Sequence, residues 1–371
     1  MYLQQLVLTN FKNYSEADLE FSTKINCFIG NNATGKTNIL DAIYYLSFCK
    51  SYFNAVDNQN IRHEADFFAV HGTYLNQDSG SNKVSCVQRR GMKKSFKFNK
   101  KEYDRLADHI GKIPLVMISP YDRDLINEGS EVRRKYIDGV ISQFDHLYLS
   151  DLIDYNKALL QRNTLLKQFA ERRYFDEVSL QVWNEKINEL GTRIFKARKK
   201  FLTDFNPLFE EFYRYLSDNG EKVEIIYESQ LNISPLEQLL RESVDKDLAV
   251  KYTTTGIHKD DLVFMINGYP VKKFGSQGQQ KTFVVAVKLA QFEFTRRTKG
   301  FRPILLFDDI FDKLDDNRVQ QIIHLVNEDN FGQVFITDTQ RQRIESIFKG
   351  VEIDHKIFHV SDNQVKDTTD S

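Results

Sequence analysis

The sequence predicts an α/β protein with an added antiparallel β lobe and a helical insert. Short apolar runs followed by helical periodicity occur at both ends of the chain, a pattern typical of a sheet covered by helices. Alternating runs over residues 67–105 favour an antiparallel meander, and helical spacing over residues 130–213 favours paired helices. With 371 residues, 41% of them apolar, the chain is large enough to bury a core in each of these parts.

The first elements predict one half of a βα phosphate site. LQQLVLTNF alternates between apolar and polar residues, INCFIG is a short buried strand, and NILDAIYYLSF has apolar residues at helical spacing. Between the last two lies the pattern G-x-x-x-x-G-K-[ST], formed by Gly30, Asn31, Asn32, Ala33, Thr34, Gly35, Lys36 and Thr37. Its glycines let the backbone curl around phosphate, Lys36 would reach the β and γ phosphates of ATP, and Thr37 would ligate Mg²⁺.

An acidic strand near the C-terminus supplies the second half of such a site. ILLF is an apolar run that ends in Asp308 and Asp309, where the carboxyl end of a buried strand meets the phosphates. Asp308 is expected to hold the metal, and Asp309 either activates the attacking water or only shapes the metal field. Asp309 is one methylene shorter than the glutamate that is usual at this position in ATPase heads. We therefore expect slow ATP hydrolysis, which suits a switch.

A third motif lies just before the acidic strand. Lys273 to Lys281, KFGSQGQQK, opens a predicted helix and resembles the signature of ATP-binding-cassette (ABC) proteins. Ser276 would cap this helix or donate to a γ-phosphate, with Gly278 and Gln279 beside it. In that family two heads sandwich two ATP molecules, so the resemblance implies an ATP-dependent homodimer in which each signature completes the partner's site. Asp312 is placed where such heads carry a dimer-interface loop.

The motifs and patterns together predict the domain organisation of an ABC-type P-loop ATPase head. Residues 1–125 would form its N-terminal part with the β lobe, 126–250 the helical insert, 251–360 its C-terminal part, and 361–371 a polar, disordered tail. In the insert, Pro207 is expected to end the longer helix. A weaker apolar seam interrupted by Arg162 would pair with that helix, as either a protruding hairpin or two ordinary core helices.

Several blocks make the sequence similar to the RecF family from end to end. They are Asn10–Tyr14 (NFKNY), GSEVRRKYID, YNKALLQRNTLL, GIHKDDL and FDDIFDKLDDNR. The resemblance implies a DNA replication and repair protein that binds duplex DNA at gaps or single-strand/double-strand junctions and helps load recombinase with RecO-type and RecR-type partners. It also implies that Lys12, Asn13 and Asn38 contact the nucleotide, although Lys12 stands where the family has arginine.

The 51 basic residues nearly cancel the 52 acidic ones, so the chain as a whole has no positive charge to attract DNA. Any contact with DNA is therefore expected at a local basic surface. A hairpin rich in basic residues is the candidate for phosphate contact. It contains Arg89, Arg90, Lys93, Lys94, Lys97, Lys100 and Lys101. The alternative is a solvated edge that protects the sheet from aggregation.

The remaining patterns bear on location and on other functions. The three cysteines lack C-x-x-C spacing, and the chain shows neither an export signal nor a membrane-spanning run, so we expect buried thiols and a cytoplasmic protein. Two other functions stay open: a DNA-tethering ATPase similar to SMC and Rad50 proteins, and a P-loop kinase acting on a small molecule. The short insert argues against the first, and the wide separation of the two ATP motifs argues against the second.

Overall fold

The computed structural model describes residues 1–76, 80–217, 220–310, 318–319, 321–322, 325, 331–348 and 354–369. The chain separates into two compact units. We call Met1–Asp122 with Lys288–Ser371 the split unit, and Arg123–Val287 the inserted unit. The inserted unit begins close to the predicted insert but extends beyond residue 250, so that residues 251–287 belong to the same compact unit as the helices.

One sheet of the split unit is antiparallel, with the strand order β2-β1-β4-β5-β6-β7. Its strands are β1 Tyr2–Phe11, β2 Tyr14–Glu20, β4 Phe67–Leu75, β5 Ser81–Arg89, β6 Ser95–Phe98 and β7 Lys101–Glu102. In β1, Leu6 and Leu8 are buried and Val7 between them is half-buried, because alternate side chains point to opposite faces. The predicted meander is confirmed. β2 was not predicted, because most of its side chains are acidic or polar.

The second sheet of the split unit has the order β15-β14-β3-β13-β12-β8. Its strands are β3 Ile25–Ile29, β8 Leu115–Ile118, β12 Ile304–Phe307, β13 Val334–Asp338, β14 His355–Ser361 and β15 Gln364–Asp367. All neighbours run parallel except β15, which pairs antiparallel with β14. β3, β8, β12 and β13 are buried along their whole length, as in a parallel sheet covered on both faces.

A single apolar core joins both sheets through the helix that follows β3. This helix, α1 Lys36–Phe48, buries Ile39 and Ile43 in a cluster that contains Leu8 of β1 and Phe335 of β13. Burying one such side chain contributes roughly 1.5–3 kcal/mol. The core therefore fixes the start of α1 relative to the carboxyl ends of the parallel strands. The three cysteines are buried, as predicted.

The inserted unit consists of helices around a small antiparallel sheet of order β11-β10-β9. Its strands are β9 Val223–Glu228, β10 Asp261–Ile266 and β11 Tyr269–Pro270. Its helices are α2 Asp124–Asn127, α3 Ser130–Ser142, α4 His146–Arg172, α5 Glu177–Leu216, α6 Leu236–Glu242, α7 Val244–Val250, α8 Val271–Phe274 and the first part of α9 Gln277–Lys299. α4 and α5 pack against each other, as expected for the two helical segments under either alternative.

The predicted end of the longer helix at Pro207 is wrong, because α5 continues to Leu216 with the proline inside it. Proline costs a helix interior about 3 kcal/mol. Leu208 and Phe209, which follow it, are buried, and this packing offsets the cost. The Asn206 side chain also bonds to both backbone groups of Ile225, at 3.1 Å to its N–H and 2.9 Å to its carbonyl oxygen.

The predicted disorder of the tail 361–371 is also wrong over its described part. β15 pairs with β14, and the Thr368 N–H donates to the carbonyl oxygen of Ile357 at 2.8 Å. An edge strand needs backbone hydrogen bonds on one side only, so polar side chains do not prevent it from forming. The last helix of the described chain is α10 Arg341–Phe348. No helix among the described residues is long and apolar enough to cross a membrane.

Candidate nucleotide site

The loop between β3 and α1 has the geometry of a phosphate cradle. The buried Lys36 ammonium donates to the carbonyl oxygens of Gly30 at 2.8 Å and Asn31 at 2.9 Å, so its side chain lies back across the loop. Both acceptors are neutral, which leaves the positive charge available to an anion. α1 starts at Lys36, and its first N–H groups point into the same space, where the helix dipole favours phosphate.

Two glycines of this loop are required by close packing. Gly35 has φ +108°, and a Cβ there would lie 2.3 Å from Asn13 Nδ2 and 2.9 Å from the Tyr14 hydroxyl. At Gly30 a Cβ would lie 2.2 Å from the carbonyl oxygen of Val360. The G-x-x-x-x-G spacing is therefore dictated here by neighbouring strands as well as by phosphate.

Thr37 and Asp308 meet at the carboxyl ends of the parallel strands. The Thr37 hydroxyl donates to Asp308 Oδ1 at 2.7 Å, and the Thr337 hydroxyl lies 3.0 Å from the same oxygen. Burial raises the pKa of Asp308 to about 6; the bond from Thr37 opposes this shift and the Asp309 charge adds to it. Hydroxyl and carboxylate oxygens are hard ligands, so this pair fits the predicted Mg²⁺ site.

Asp309 has a different environment from Asp308. It is half-buried with φ +44°, and its N–H donates to Thr337 Oγ1 at 2.8 Å. Its Oδ1 is 3.3 Å from the same hydroxyl. Thr337 thus contacts both acids. Asp312, the predicted interface-loop residue, lies outside the described residues.

The residues predicted from the NFKNY block flank the cradle. The Lys12 ammonium is 2.6 Å from Asp41 Oδ2 and lies over the Phe53 ring, 5.2 Å from its centroid. Asn13 donates to the Thr34 carbonyl oxygen at 3.3 Å and accepts from Asn38 Nδ2 at 2.6 Å. All three predicted side chains are therefore next to the phosphate loop, although Lys12 is already paired with a buried carboxylate.

A polar cleft opens at this edge of the sheet. It is lined by Lys12, Asn32, Thr37, Asn38, Phe53, Asn54, Pro120, Tyr121, Asp308 and Asp309. Phe53, Asn54, Pro120 and Tyr121 were not predicted as site residues. The available signal was the polar turn SPYD directly after the buried run LVMI, because the carboxyl ends of parallel strands meet at one edge.

The signature residues belong to the inserted unit. The Ser276 hydroxyl accepts from the Gln279 N–H at 3.2 Å, and Gln279 Oε1 accepts from the Ser276 N–H at 2.7 Å. This reciprocal pair is a capping box that starts α9. The serine hydroxyl is exposed and acts as acceptor in the cap, so its proton is still free to be donated. A Cβ added at Gly278 would meet only Ser276 Oγ, at 3.9 Å, so the space beside the serine is open.

The predicted basic hairpin divides into exposed residues and one structural lysine. Arg89, Arg90, Lys93, Lys100 and Lys101 are exposed and Lys97 is half-buried. Lys94 instead donates to Asp57 Oδ2 at 2.7 Å and to the Cys49 carbonyl oxygen at 2.6 Å, with its side chain only 9% exposed. Lys94 therefore stabilises the fold and does not belong to the exposed basic surface.

The GIHKDDL block connects elements of the inserted unit. Asp260 lies 3.2 Å from Arg198 Nη1 of α5, and Asp261 accepts two bonds from Arg133 of α3 at 2.7 and 2.9 Å. His258 bonds through Nδ1 to the Tyr155 hydroxyl at 2.9 Å, and burial lowers its pKa to about 4. This block therefore acts as a structural clamp on three helices.

Fold and site together define an ATPase head of the ABC type: a P-loop cradle after β3, an acidic residue after β12, two strands away in the same sheet, and a capped signature helix. The model of the RecF/RecN/SMC N-terminal domain family matches residues 2–362. RecF proteins of Flavobacterium johnsoniae and Phocaeicola vulgatus, both named DNA replication and repair protein, are 52% and 51% identical. The matches cover 97% of this chain and 100% of the first relative, and 98% of each for the second. The chain belongs to the RecF family of DNA replication and repair proteins.

Solved structures agree with this assignment. A structure described as the recombination mediator protein RecF-ATP in the RecFOR pathway is 33% identical, with a TM-score of 0.90 over 99% of this chain and 97% of that one. An Smc head domain of Pyrococcus furiosus with an extended coiled coil is 19% identical, covers 99% and 96% of the two chains and has a TM-score of 0.58. The second likeness shows a shared fold only.

Proposed function

We propose that this protein is an ATP-dependent DNA-binding switch of recombinational repair: ATP closes a dimer on duplex DNA, and slow hydrolysis opens it. The observation that carries the proposal is the contact of Thr37 with Asp308, 2.7 Å apart beside the Lys36 cradle. It brings both halves of a metal-nucleotide site together from opposite ends of the sequence. The relatives named above act in DNA repair, and one was solved with ATP.

Residues of the cradle bind and orient the nucleotide in this proposal. Lys36 exchanges its carbonyl partners for the β and γ phosphates, which give a charge-assisted bond in place of a neutral one. Thr37 and Asp308 hold Mg²⁺, which when bound neutralises charge that develops on the phosphates. Asn13 and Asn38 keep the loop in position through the bonds described above.

Asp309 is the proposed base that orients the attacking water. Thr337 fixes its backbone and one carboxylate oxygen, so the other oxygen remains for the water. Its short side chain reaches less far than the glutamate usual in such heads, which supports slow turnover. A slow ATPase stays closed on DNA long enough for partners to act, as a switch requires.

Ser276 of one subunit completes the site of the other in the proposed dimer. Its hydroxyl proton is not used by the helix cap, and the start of α9 adds a favourable dipole for the γ-phosphate. Such a C2 arrangement forms two equal sites and makes dimerisation depend on ATP. Because the closed dimer contains two copies of the DNA-contact surface, ATP binding would double the surface that is available to DNA.

DNA is contacted through the exposed basic hairpin without reading of sequence. Arg89, Arg90, Lys93, Lys97, Lys100 and Lys101 offer charge to phosphates. The preferred DNA in the proposal is a duplex with a gap or a single-strand junction, and the protein partners are RecO-type and RecR-type mediators. Action on chromosomal DNA places the protein in the cytoplasm.

Light scattering of the purified protein tests the switch directly. The molar mass is measured with and without Mg²⁺-ATP, and then with a gapped duplex. The mass should double with ATP and the dimer should retain DNA, while Lys36→Ala should stay monomeric. Ser276→Arg should bind ATP as the wild type does and fail to dimerise.

Two results would change the proposal. Normal ATP-dependent dimerisation of Ser276→Arg would remove the trans assignment of the signature. A mass indifferent to ATP, with no DNA retained, would favour the P-loop kinase alternative, and phosphorylation of a small molecule in the absence of DNA would then be the activity to measure.

A further inference from the structure

A buried lysine lies on the helix that follows the signature serine. α9 begins directly after Ser276 and continues to Lys299. Lys288 is 5% exposed, and its ammonium is 2.6 Å from Asp122 Oδ1. At 1.5 Å per residue, Lys288 is about 18 Å along the helix from Ser276. One continuous helix therefore carries a signature residue at its start and one member of a buried ion pair near its middle.

Asp122 fixes the turn that follows β8. Its Oδ2 accepts the Ser119 N–H at 2.8 Å, and its Oδ1 accepts the Tyr52 hydroxyl as well as Lys288. Its own N–H donates to the carbonyl oxygen of Ser119 at 3.0 Å. Since Asp122 is 4% exposed, its negative charge is stable only with these donors around it.

The same turn carries Ser119 to the metal-binding acid. β8 and β12 are parallel neighbours, and the Asp308 N–H donates to the Ile118 carbonyl oxygen at 2.9 Å. The Ser119 hydroxyl then lies 3.5 Å from Asp308 Oδ2, on the opposite oxygen from Thr37. The contacts form a path from Lys288 through Asp122 and Ser119 to Asp308, with all four residues buried.

We propose that Lys288 is a positioning residue for ATP hydrolysis. By neutralising Asp122 it keeps the Ser119 turn in place, and that turn orients the Asp308 carboxylate. The inference rests on the proposed function, which gives Asp308 its role at the metal.

Kinetics of Lys288→Met test the path, since methionine keeps the length of the side chain and removes its charge. We expect kcat per folded molecule to fall at least tenfold, with the ATP dissociation constant within twofold of the wild-type value. The double variant Lys288→Met/Asp122→Asn lacks the unpaired carboxylate, and its kcat should be at least threefold higher than that of Lys288→Met alone. Lys299→Met, on the same helix and outside the path, is the matched control and should change neither value.

A titration with Mg²⁺ separates this inference from the dimer model. With a fluorescent ATP analogue bound, the Mg²⁺ dissociation constant of Lys288→Met should rise at least fivefold, because Asp308 loses its orienting partner, and should return to within twofold in the double variant. This measurement needs neither dimerisation nor turnover. If the wild type fails to dimerise, the proposed function is wrong, and the titration still decides the role of Lys288.

Two outcomes overturn the inference. One is a Lys288→Met protein with wild-type kcat and Mg²⁺ affinity; the other is a double variant as impaired as the single one, which would mean that Lys288 does not act through Asp122. If Lys288→Met does not fold, Asp122→Asn alone breaks the same contact from the other side. It should then show the same loss of kcat with unchanged ATP affinity, and wild-type kcat would equally overturn the inference.

Discussion

Buried charge is used differently around Arg162 of the inserted unit and in the nucleotide site of the split unit. In the inserted unit, Arg162 and Asp247 are fully buried and lie 2.7 Å apart, and Arg162 also donates to Asn184 and Thr253 at 2.7 and 2.8 Å. In the split unit the buried Lys36 donates to neutral carbonyl oxygens, and three hydroxyls, those of Thr37, Thr337 and Ser119, lie beside the carboxylate of Asp308. In the first arrangement each charge is neutralised by an opposite charge within the fold. In the second, the Lys36 cation and the Asp308 anion have only uncharged hydrogen-bond partners, which a bound phosphate and a metal ion can replace.

The difference shows how a fold can separate stability from chemistry. A closed ion pair contributes specificity to packing, and breaking it leaves an unpaired buried charge. An open site keeps charges that are only partly compensated, and these are the groups that a metal and a phosphate would complete. Substitutions at these two sites should therefore have separable effects on unfolding and on turnover.

The largest effect is expected on stability, from Arg162→Met. The substitution leaves the Asp247 charge buried without its cation, which typically costs about 3–5 kcal/mol. Urea denaturation should show this loss, while folded protein should bind ATP with unchanged affinity. Arg193→Met on α5 is the control: Arg193 pairs with Asp151 and Glu189 but its side chain is 48% exposed, so the loss should stay below about 1 kcal/mol. Equal losses for the two variants would contradict the comparison.

Asp308→Asn should have the opposite profile. Removing the metal-binding charge should lower kcat by about a hundredfold or more, roughly 3 kcal/mol in the barrier. Burial raises the pKa of Asp308 to about 6, which means that the folded metal-free protein is more stable with a neutral group at this position. The melting temperature of Asp308→Asn, measured in chelator at pH 7.5, should therefore not be lower than that of the wild type. Exposed Asp104→Asn should leave both values unchanged. A destabilised Asp308→Asn protein would mean that the acid is part of the structural core.

Acid should weaken the inserted unit through His258. Burial lowers its pKa to about 4, against an ordinary value of 6.5, so the unfolded chain binds a proton that the folded one excludes. Stability is therefore complete above pH 6.5 and declines as the pH falls toward 4, by up to roughly 3 kcal/mol. His258→Gln should flatten this part of the pH profile, measured by urea denaturation, and exposed His146→Gln should not. The buried His109, also with a pKa lowered to about 4, would contribute the slope that remains.

The smallest effects concern the basic hairpin, where single charges are compared. Arg89→Ala, Lys93→Ala and Lys100→Ala should each weaken DNA binding uniformly and reduce the slope of log affinity against log salt by about 1. Lys94→Met should instead lower the melting temperature and leave the slope unchanged, because this lysine pairs with Asp57. Fluorescence anisotropy at several salt concentrations gives the slopes. If only Lys94→Met changed the slope of log affinity against log salt, Lys94 would be the DNA contact and the exposed residues would not.

Local motifs predicted the cradle well, because G-x-x-x-x-G-K-T and the acidic end of ILLF specify their own surroundings. The meeting of Thr37 with Asp308 follows from parallel strands that share one edge. Ser119 and Asp122 could not be found in this way, since their roles arise from a lysine on a helix far along the chain. Lys94 shows the converse: its charge is the same in sequence as that of Lys93, and only its burial beside Asp57 separates them.

The errors in the fold have a common physical origin. Pro207 and the polar tail were interpreted from local preference, and in both cases contacts distant in sequence outweighed it. Asn206 bonds to β9 beside the proline, and β14 supplies the backbone partners for β15. Propensity describes a segment in isolation, whereas these segments are completed by strands formed elsewhere in the chain.

The order of strands in the parallel sheet has a consequence for how the protein is made. β3, which leads into the phosphate loop, lies between β13 and β14, and both of these come from the last part of the chain. A growing polypeptide thus carries the largely apolar β3 without its two strand partners until β13 and β14 have been synthesised, and pairings so distant in sequence form slowly. The two halves of the ATP site can therefore meet only after β12 and Asp308 have been synthesised, and β3 is the segment that a chaperone would be expected to cover until then.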